Sequence, residues 1–451
     1  MHGPAVILVV IAGAVCLGWT TFLALARQGA FFGLVLALTV FEATRDFALT
    51  PEVALDSAFY IGHTGTIGRV GGVEVHIEDL ITLVALFAAA VGALRFRGGP
   101  WLAFALLGIT AMVLVGLACF SQTEGLTHAI NYWRKWLLAL ALFAWGATRP
   151  REWEWKDLRW LVGAGLMASL LAVAEIGIHG LGSAVDLTVS NGQALNGRPL
   201  AAQAALIVLM AAWVTALGPG RRSVTNITLT AFLVLMVGVL QVRSVWLAAG
   251  VSLAVCWMAM FLRSGRFVLP RIAWSAIAAI VGLVALAAAV VSSPSLRLSF
   301  TSQKTYQWRV SRWDESFGIA RSGVEWLFGG MFGPTPVSVI GRFNGLYAHS
   351  VYVWSTETVG LVGTVATVLV ISLACFRPSN SRSALWPTIV GSVALSYGYT
   401  YGLPGWYWLL IGSCAGWTVA EHVTARGKVP IKTTARDSHP APAGSIRPVH
   451  G

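Results

Sequence analysis

Five residues in the second half of the chain have the types and settings for chemistry on an anionic group at a membrane surface. Arg243 lies in Gln241-Val-Arg-Ser244, between two apolar runs. A charge at the centre of a membrane helix costs about 2.5–3.5 kcal/mol, and less near the interface, so it needs a partner or a purpose. Arg309 and Arg312 are three apart and share one helix face. A guanidinium pair grips phosphate in two-pronged fashion, which suits an anionic head group. The same spacing serves arginines that only snorkel to lipid phosphates, and both readings stand. His349, in Tyr347-Ala-His-Ser-Val-Tyr352, marks the junction of a long polar segment with an apolar run. An imidazole there can act as a general base near neutral pH, or be a hydrogen-bonded structural residue. Glu357 lies two turns further on, followed by Gly360 and Gly363. A carboxylate inside a span marks a functional site or a helix-packing hydrogen bond.

Other candidates are weaker. Glu78 and Asp79 open an apolar run, where acids suit the helix dipole, so capping is the better reading. His63, His76, His128 and His179 lack ligand spacing. HExxH, a P-loop and GxGxxG in a strand-helix setting are all absent from the sequence. So is any Asp-x-Asp pair that would hold a divalent metal on a diphosphate, and neither a metal nor another cofactor is expected. Cys16, Cys119, Cys256, Cys375 and Cys414 lie in apolar runs without CxxC and read as small core residues.

The elements that must hold these residues follow from composition. Of 451 residues, 56% are hydrophobic and 11% charged, and the mean hydropathy is +0.72. An ordinary soluble domain is about 25% charged. Thirty-one Lys+Arg and 19 Asp+Glu cannot cover a soluble protein of this size. A soluble enzyme, a disordered chain and a disulfide scaffold are excluded. A β-barrel is excluded too, because the apolar runs are unbroken over about 20 residues instead of alternating. The expected fold is all-α: a polytopic helical membrane protein with 12 or 13 spans. They are 4–26, 29–43, 79–94, 101–119, 130–147, 160–178, 200–217, 225–241, 244–262, 272–291, 350–374, 385–402 and 404–422. The stretch 29–43 is short enough to be a tilted or re-entrant piece. The first stretch reads as a membrane helix and not a cleaved leader.

Charge sorts the two sides. Arg27, 95–100, 148–159, 218–224, 263–271, 375–384 and the tail from Glu421 hold 19 Lys+Arg against 5 Asp+Glu. Everything else holds 12 against 14. The first set is expected on the cytoplasmic side, so the formal charge of +12 reports topology and no nucleic-acid partner is expected. The tail, 423–451, is polar without periodicity and expected to be disordered.

The outer side then carries 44–78, 120–129, 179–199 and the long loop 292–349. Within the last, Trp313, Phe317, Ala320, Val324 and Leu327 form one apolar stripe, which predicts an amphipathic helix over 304–328 on the outer membrane surface. Gly329-Gly330 ends it. Trp153, Trp155, Trp160, Trp406 and Trp408 flank spans and read as an interfacial belt.

Three stretches resemble the O-antigen ligase and Wzy-type polymerase superfamily. Gln241–Ala249 is similar to that family's short outer loop with an arginine before an apolar helix. Arg309-x-x-x-Trp313 with Trp326-Leu-Phe-Gly-Gly-Met-Phe-Gly333 resembles its Arg-x-x-x-Trp helix and glycine-rich turn. Ala348-His-Ser-x-Tyr352 with Glu357-x-x-Gly360-x-x-Gly363 resembles its His-Asn-x-Tyr and Glu-x-Gly segment. Asn196-Gly-Arg-Pro-Leu-Ala-Ala is similar to the family's Asn-Pro-Asn approach to a span. The likeness covers about 190–375 within a transmembrane domain of 1–422. Ser350 replaces the usual Asn, and the Asn-Pro-Asn element is degraded.

The resemblance implies a metal-independent membrane glycosyltransferase, a surface polysaccharide ligase or polymerase, on the outer face of the inner (plasma) membrane. Its donor is a saccharide on undecaprenyl diphosphate, and its acceptor is a hydroxyl of a glycan, lipid or protein. Carried over, Arg243 and Arg309 bind the diphosphate and stabilise its developing charge. His349 orients or deprotonates the acceptor. Arg312, Tyr352 and Glu357 add substrate contacts. Two other readings remain open: a lipid-linked saccharide transporter or flippase, and a metal-dependent prenyl-monophosphate sugar transferase using Glu42, Asp46, Glu78 or Asp79.

Overall fold

The structure is a computed structural model describing residues 3–45, 66–70, 73–95, 126–148, 154–179, 187–190, 193–196, 202–218, 223–262, 269–294, 322–329, 350–375 and 404–427, with isolated positions between. Twelve helices are named here: α1 Gly3–Ala26, α2 Gln28–Arg45, α3 Ile77–Arg95, α4 Leu126–Ala147, α5 Trp155–His179, α6 Ala202–Leu217, α7 Val224–Val239, α8 Arg243–Leu262, α9 Leu269–Ser292, α10 Gly323–Phe328, α11 Val351–Cys375 and α12 Gly405–Gly427. Apart from isolated positions, the expected spans 101–119 and 385–402 lie outside the described residues, as does the tail beyond Gly427; 423–427, expected to be disordered, instead end α12.

The fold is helical as expected, with one addition. Two antiparallel hairpins occupy expected outer loops: β1 Thr66–Val70 with β2 Val73–His76, and β3 Leu187–Ser190 with β4 Gln193–Asn196. The sequence carried their signal. Gly71-Gly72 and Asn191-Gly192 stand between the closing pairs Val70–Val73 and Ser190–Gln193, and such dipeptides mark two-residue hairpins.

Helix α6 is the centre. It is apolar all round, and 204–214 are all buried. A helix with no polar face must be covered on every side. It packs on α5, α7, α9, α2 and α8. Helix α2 is a continuous 18-residue core helix and not a re-entrant piece, with Phe31, Phe32, Leu36 and Val40 buried. The Trp145 ring of α4 lies tilted against Phe31 with centroids 4.9 Å apart, and its Nε1 donates to the Ala24 carbonyl at 3.1 Å. A buried indole is thereby satisfied.

Helices α4 and α12 run parallel at backbone contact. Gly146 lies against Leu409 and Ser413, Gly412 against Phe143, and Gly416 against Ala147. Small residues let membrane-type helices approach this closely. Trp406 and Trp408, expected in an interfacial belt, are buried within the bundle. Trp160 is half-exposed, as a belt residue would be.

Packing also sorts the helix ends. Gly29 lies against Asp157, Gly92 against Thr148, and Gly218 against Trp155. The Arg27 turn, the end of α3, the start of α5 and the α6–α7 connection therefore share one end of the bundle. Gly238 against Leu286 and Gly282 against Val234 make α7 and α9 parallel. The starts of α3 and α6 and the α7–α8 turn consequently lie at the opposite end, with both hairpins.

Two helices, over Ile77–Leu94 and Trp155–Gly177, are long and apolar enough by themselves to cross a membrane. Other apolar stretches among the described residues run 10–17 residues. Outward faces are apolar at helical spacing: Leu83, Phe87 and Leu94 on α3, Leu170 and Val173 on α5, and Leu361, Val365 and Leu369 on α11 are all exposed.

Candidate functional site

Arg243 stands at a tight turn, as its sequence setting predicts. Helix α7 ends at Val239, Leu240 caps it, and Gln241 takes φ +58. Left-handed backbone is uncommon for a side-chain-bearing residue other than Asn, Asp or His. Three bonds hold the turn. Gln241 N donates to the Gly238 carbonyl at 3.0 Å, and Val245 N to Val242 at 2.9 Å. Trp246 Nε1 reaches back to the Val237 carbonyl at 2.9 Å. Leu240, Gln241, Val242 and Ser244 are buried, while Arg243 is half-buried. The fold thus places the first residue of α8 at an end of the bundle, at a turn whose backbone and Trp246 indole are hydrogen-bonded. The N-terminus of a helix also favours anions through its free N–H groups and dipole.

Glu357 and Tyr352 lie on α11. Glu357 is buried, 3% exposed, and flanked by buried Ser355 and Val359. Tyr352 is half-buried, and its carbonyl accepts from the Thr356 hydroxyl at 2.9 Å. Arg309, Arg312 and His349 lie outside the described residues. Ser350, next to His349, is buried at the start of α11. The described structure brings α8 onto α6 and α7, and α11 onto α10 and α12.

The amphipathic helix expected over 304–328 is interrupted. Ser322 is extended, with φ −68 and ψ 160, and starts a new helix, α10. Glu325 N donates to Ser322 Oγ at 3.2 Å, and Ser322 N to Glu325 Oε2 at 2.7 Å. This is a capping box, legible as Ser-x-x-Glu but hidden under the longer apolar stripe. Gly329 ends α10 where the glycine pair predicts. Phe317, Val324 and Leu327 of that stripe are exposed, as is Trp326 beside it, and the Phe317 and Trp326 rings stack at 6.0 Å.

Asp79 does cap, as expected, and more. Its Oδ2 accepts from His76 N at 2.8 Å, while Oδ1 accepts from Arg134 Nε at 2.8 Å. Both oxygens are engaged, which leaves this acid poorly suited to a metal. Glu78 is half-buried, and the side chains of Glu42 and Asp46 lie outside the description. Among the described residues no group of three or more His, Cys, Asp or Glu is placed to hold a metal ion. Arg134 itself was missed in the sequence, although a cation inside an apolar run is the same signal that singled out Arg243.

Protein-family models and curated proteins, compared with the chain, give no match.

Proposed function

We propose that this chain is a polytopic inner-membrane glycosyltransferase of the O-antigen ligase and Wzy-type polymerase kind. The apolar outward faces of α3, α5 and α11 support the membrane setting, because a soluble protein rarely exposes contiguous apolar stripes. The two bundle ends support the topology. One gathers Arg27, Thr148, Trp155 and Gly218, segments that charge alone assigns to the cytoplasm. The other carries Arg243.

The place of Arg243 carries the functional reading. A guanidinium at the head of α8, on the end away from the cytoplasmic charges, meets a lipid diphosphate where its phosphates lie. In the proposed reaction an acceptor hydroxyl attacks the anomeric carbon from the face opposite the diphosphate. The new glycosidic C–O bond forms as the sugar–phosphate C–O bond breaks. His349 takes the acceptor proton, and undecaprenyl diphosphate leaves with the bonding pair. Arg243 and Arg309 stabilise the charge that builds on that leaving group. Arg312, Tyr352 and Glu357 position the substrates. The donor is already activated, so no nucleotide is consumed.

The test is a deletion strain complemented with Arg243→Ala, Arg309→Ala or His349→Ala. Surface polysaccharide assembly is expected to fail in each, with the lipid-linked donor accumulating. Assembly by all three variants rejects the reading.

One observation favours transport instead: α11 is broken at Gly360, and broken helices are a mark of transporters. Purified protein in vesicles that moves lipid-linked saccharide across the bilayer, with no new glycosidic bond, selects that reading.

A further inference from the structure

The long outer loop meets the bundle at one unusual residue. Gly360 has φ +68 and ψ −173 inside α11, so two helical segments join there, one turn after buried Glu357. Such backbone favours glycine. The break is also occupied from outside. A β-carbon on Gly360 would collide with the Leu327 carbonyl and the Phe328 nitrogen. The last turn of α10 therefore lies directly on bare Gly360 backbone.

Helix α10 is built to be presented there. Its start is fixed by the Ser322–Glu325 box, and its end by Gly329, whose N–H returns to the Glu325 carbonyl. Val324 and Leu327 stay about half-exposed, at 54% and 46%. On the α11 side the Thr364 hydroxyl donates to the Gly360 carbonyl at 2.9 Å and lies 3.3 Å from the Thr356 hydroxyl, spanning the break.

We propose that Gly360 is a positioning residue: the Leu327–Phe328 peptide is seated on its backbone, which fixes how α10 meets the helix bearing Tyr352 and Glu357. What is positioned rests on the transferase reading; the seat itself does not.

The experiment is hydrogen exchange on the full-length protein in lipid nanodiscs, following the amides of Trp326 and Gly329, paired with assembly in the complemented strain. Gly360→Ala adds both backbone strain and the collision. Gly360→Asn adds the same β-carbon and a comparable strain, because φ +68 with ψ −173 lies outside the left-handed helical region that Asn tolerates. Both are expected to speed exchange over 323–329 by about tenfold or more and to cut polysaccharide assembly by a similar factor, because a contact worth one opening equilibrium is lost. Gly163→Ala, a helical site with open space around it, leaves both unchanged. Wild-type protection and assembly in both Gly360 variants overturns the seat, since the added β-carbon then meets no obstacle there. If the Gly360 variants do not fold, Ser322→Ala with Glu325→Ala loosens α10 from the exposed side. Faster exchange at 361–364 then supports the seat, and no change there overturns it. Altered protection in a protein whose wild type never transfers glycan keeps the seat and rejects only the transferase.

Discussion

Arg134 on α4 donates its Nε to Oδ1 of Asp79 on α3 at 2.8 Å, joining two helices 55 residues apart in sequence. The second carboxylate oxygen holds His76 N, so one acid ties α3, α4 and the β1–β2 hairpin together. The side chains are 6% and 27% exposed. Removing one partner of a buried pair costs about 3–5 kcal/mol, and the lower end applies here because Asp79 meets solvent. Arg134→Ala is expected to lower stability by about 3 kcal/mol, read by denaturant unfolding in detergent. Arg134→Ala with Asp79→Ala should lose less than the two single losses together.

The α4–α12 contact gives a second prediction. A β-carbon on Gly412 would lie 2.9 Å from Phe143 Cα, against backbone that cannot turn aside. Gly412→Ala is expected to destabilise by about 1–3 kcal/mol through overpacking. Gly163→Ala, with nothing within 4 Å, should cost nothing in the same unfolding assay.

Arg243 separates fold from function. Trp246 and the backbone of Gln241 and Val245 hold its turn, so Arg243→Ala should express and purify like the wild type. Transfer rate should nonetheless fall by about 10²–10³, the usual cost of one transition-state donor. Arg243→Lys keeps the charge but loses the fork, and an intermediate rate is expected. A wild-type rate in Arg243→Ala removes this residue from the reaction.

Chelation tests the metal-dependent alternative. Asp79 already spends both oxygens on Arg134 and His76. Incubation of purified protein with EDTA, followed by dialysis, is expected to leave glycan transfer unchanged. A loss restored by added Mg²⁺ or Mn²⁺ would select the prenyl-monophosphate transferase.

Much of the fold was legible because hydrophobicity has a period. Helix α6 reads as a span of apolar residues, and it is buried on all sides. The turn at Arg243 reads directly from one cation between two apolar runs. Other features failed for identifiable reasons. Trp406 and Trp408 look interfacial by position, yet both are buried, because packing between helices and not position along one helix decides what is covered. The capping box at Ser322 lost to a longer apolar stripe, and the hairpins lie in segments that hydropathy marks only as breaks between apolar runs.

The sequence by itself determined composition, the positions of the apolar runs and the sorting of charge between the segments that join them, since each is a sum over neighbouring residues: hydropathy over a window, charge over a connecting segment. It could also flag Arg134, Asp79, Glu357 and Gly360 as unusual for their surroundings. Only tertiary structure decided what these residues do. Arg134 meets Asp79 rather than a ligand, and Gly360 carries the Leu327–Phe328 peptide rather than merely bending a helix. A pairing across 55 or 33 positions depends on which helix faces pack, and packing is fixed by shape summed over the whole bundle rather than by any local stretch.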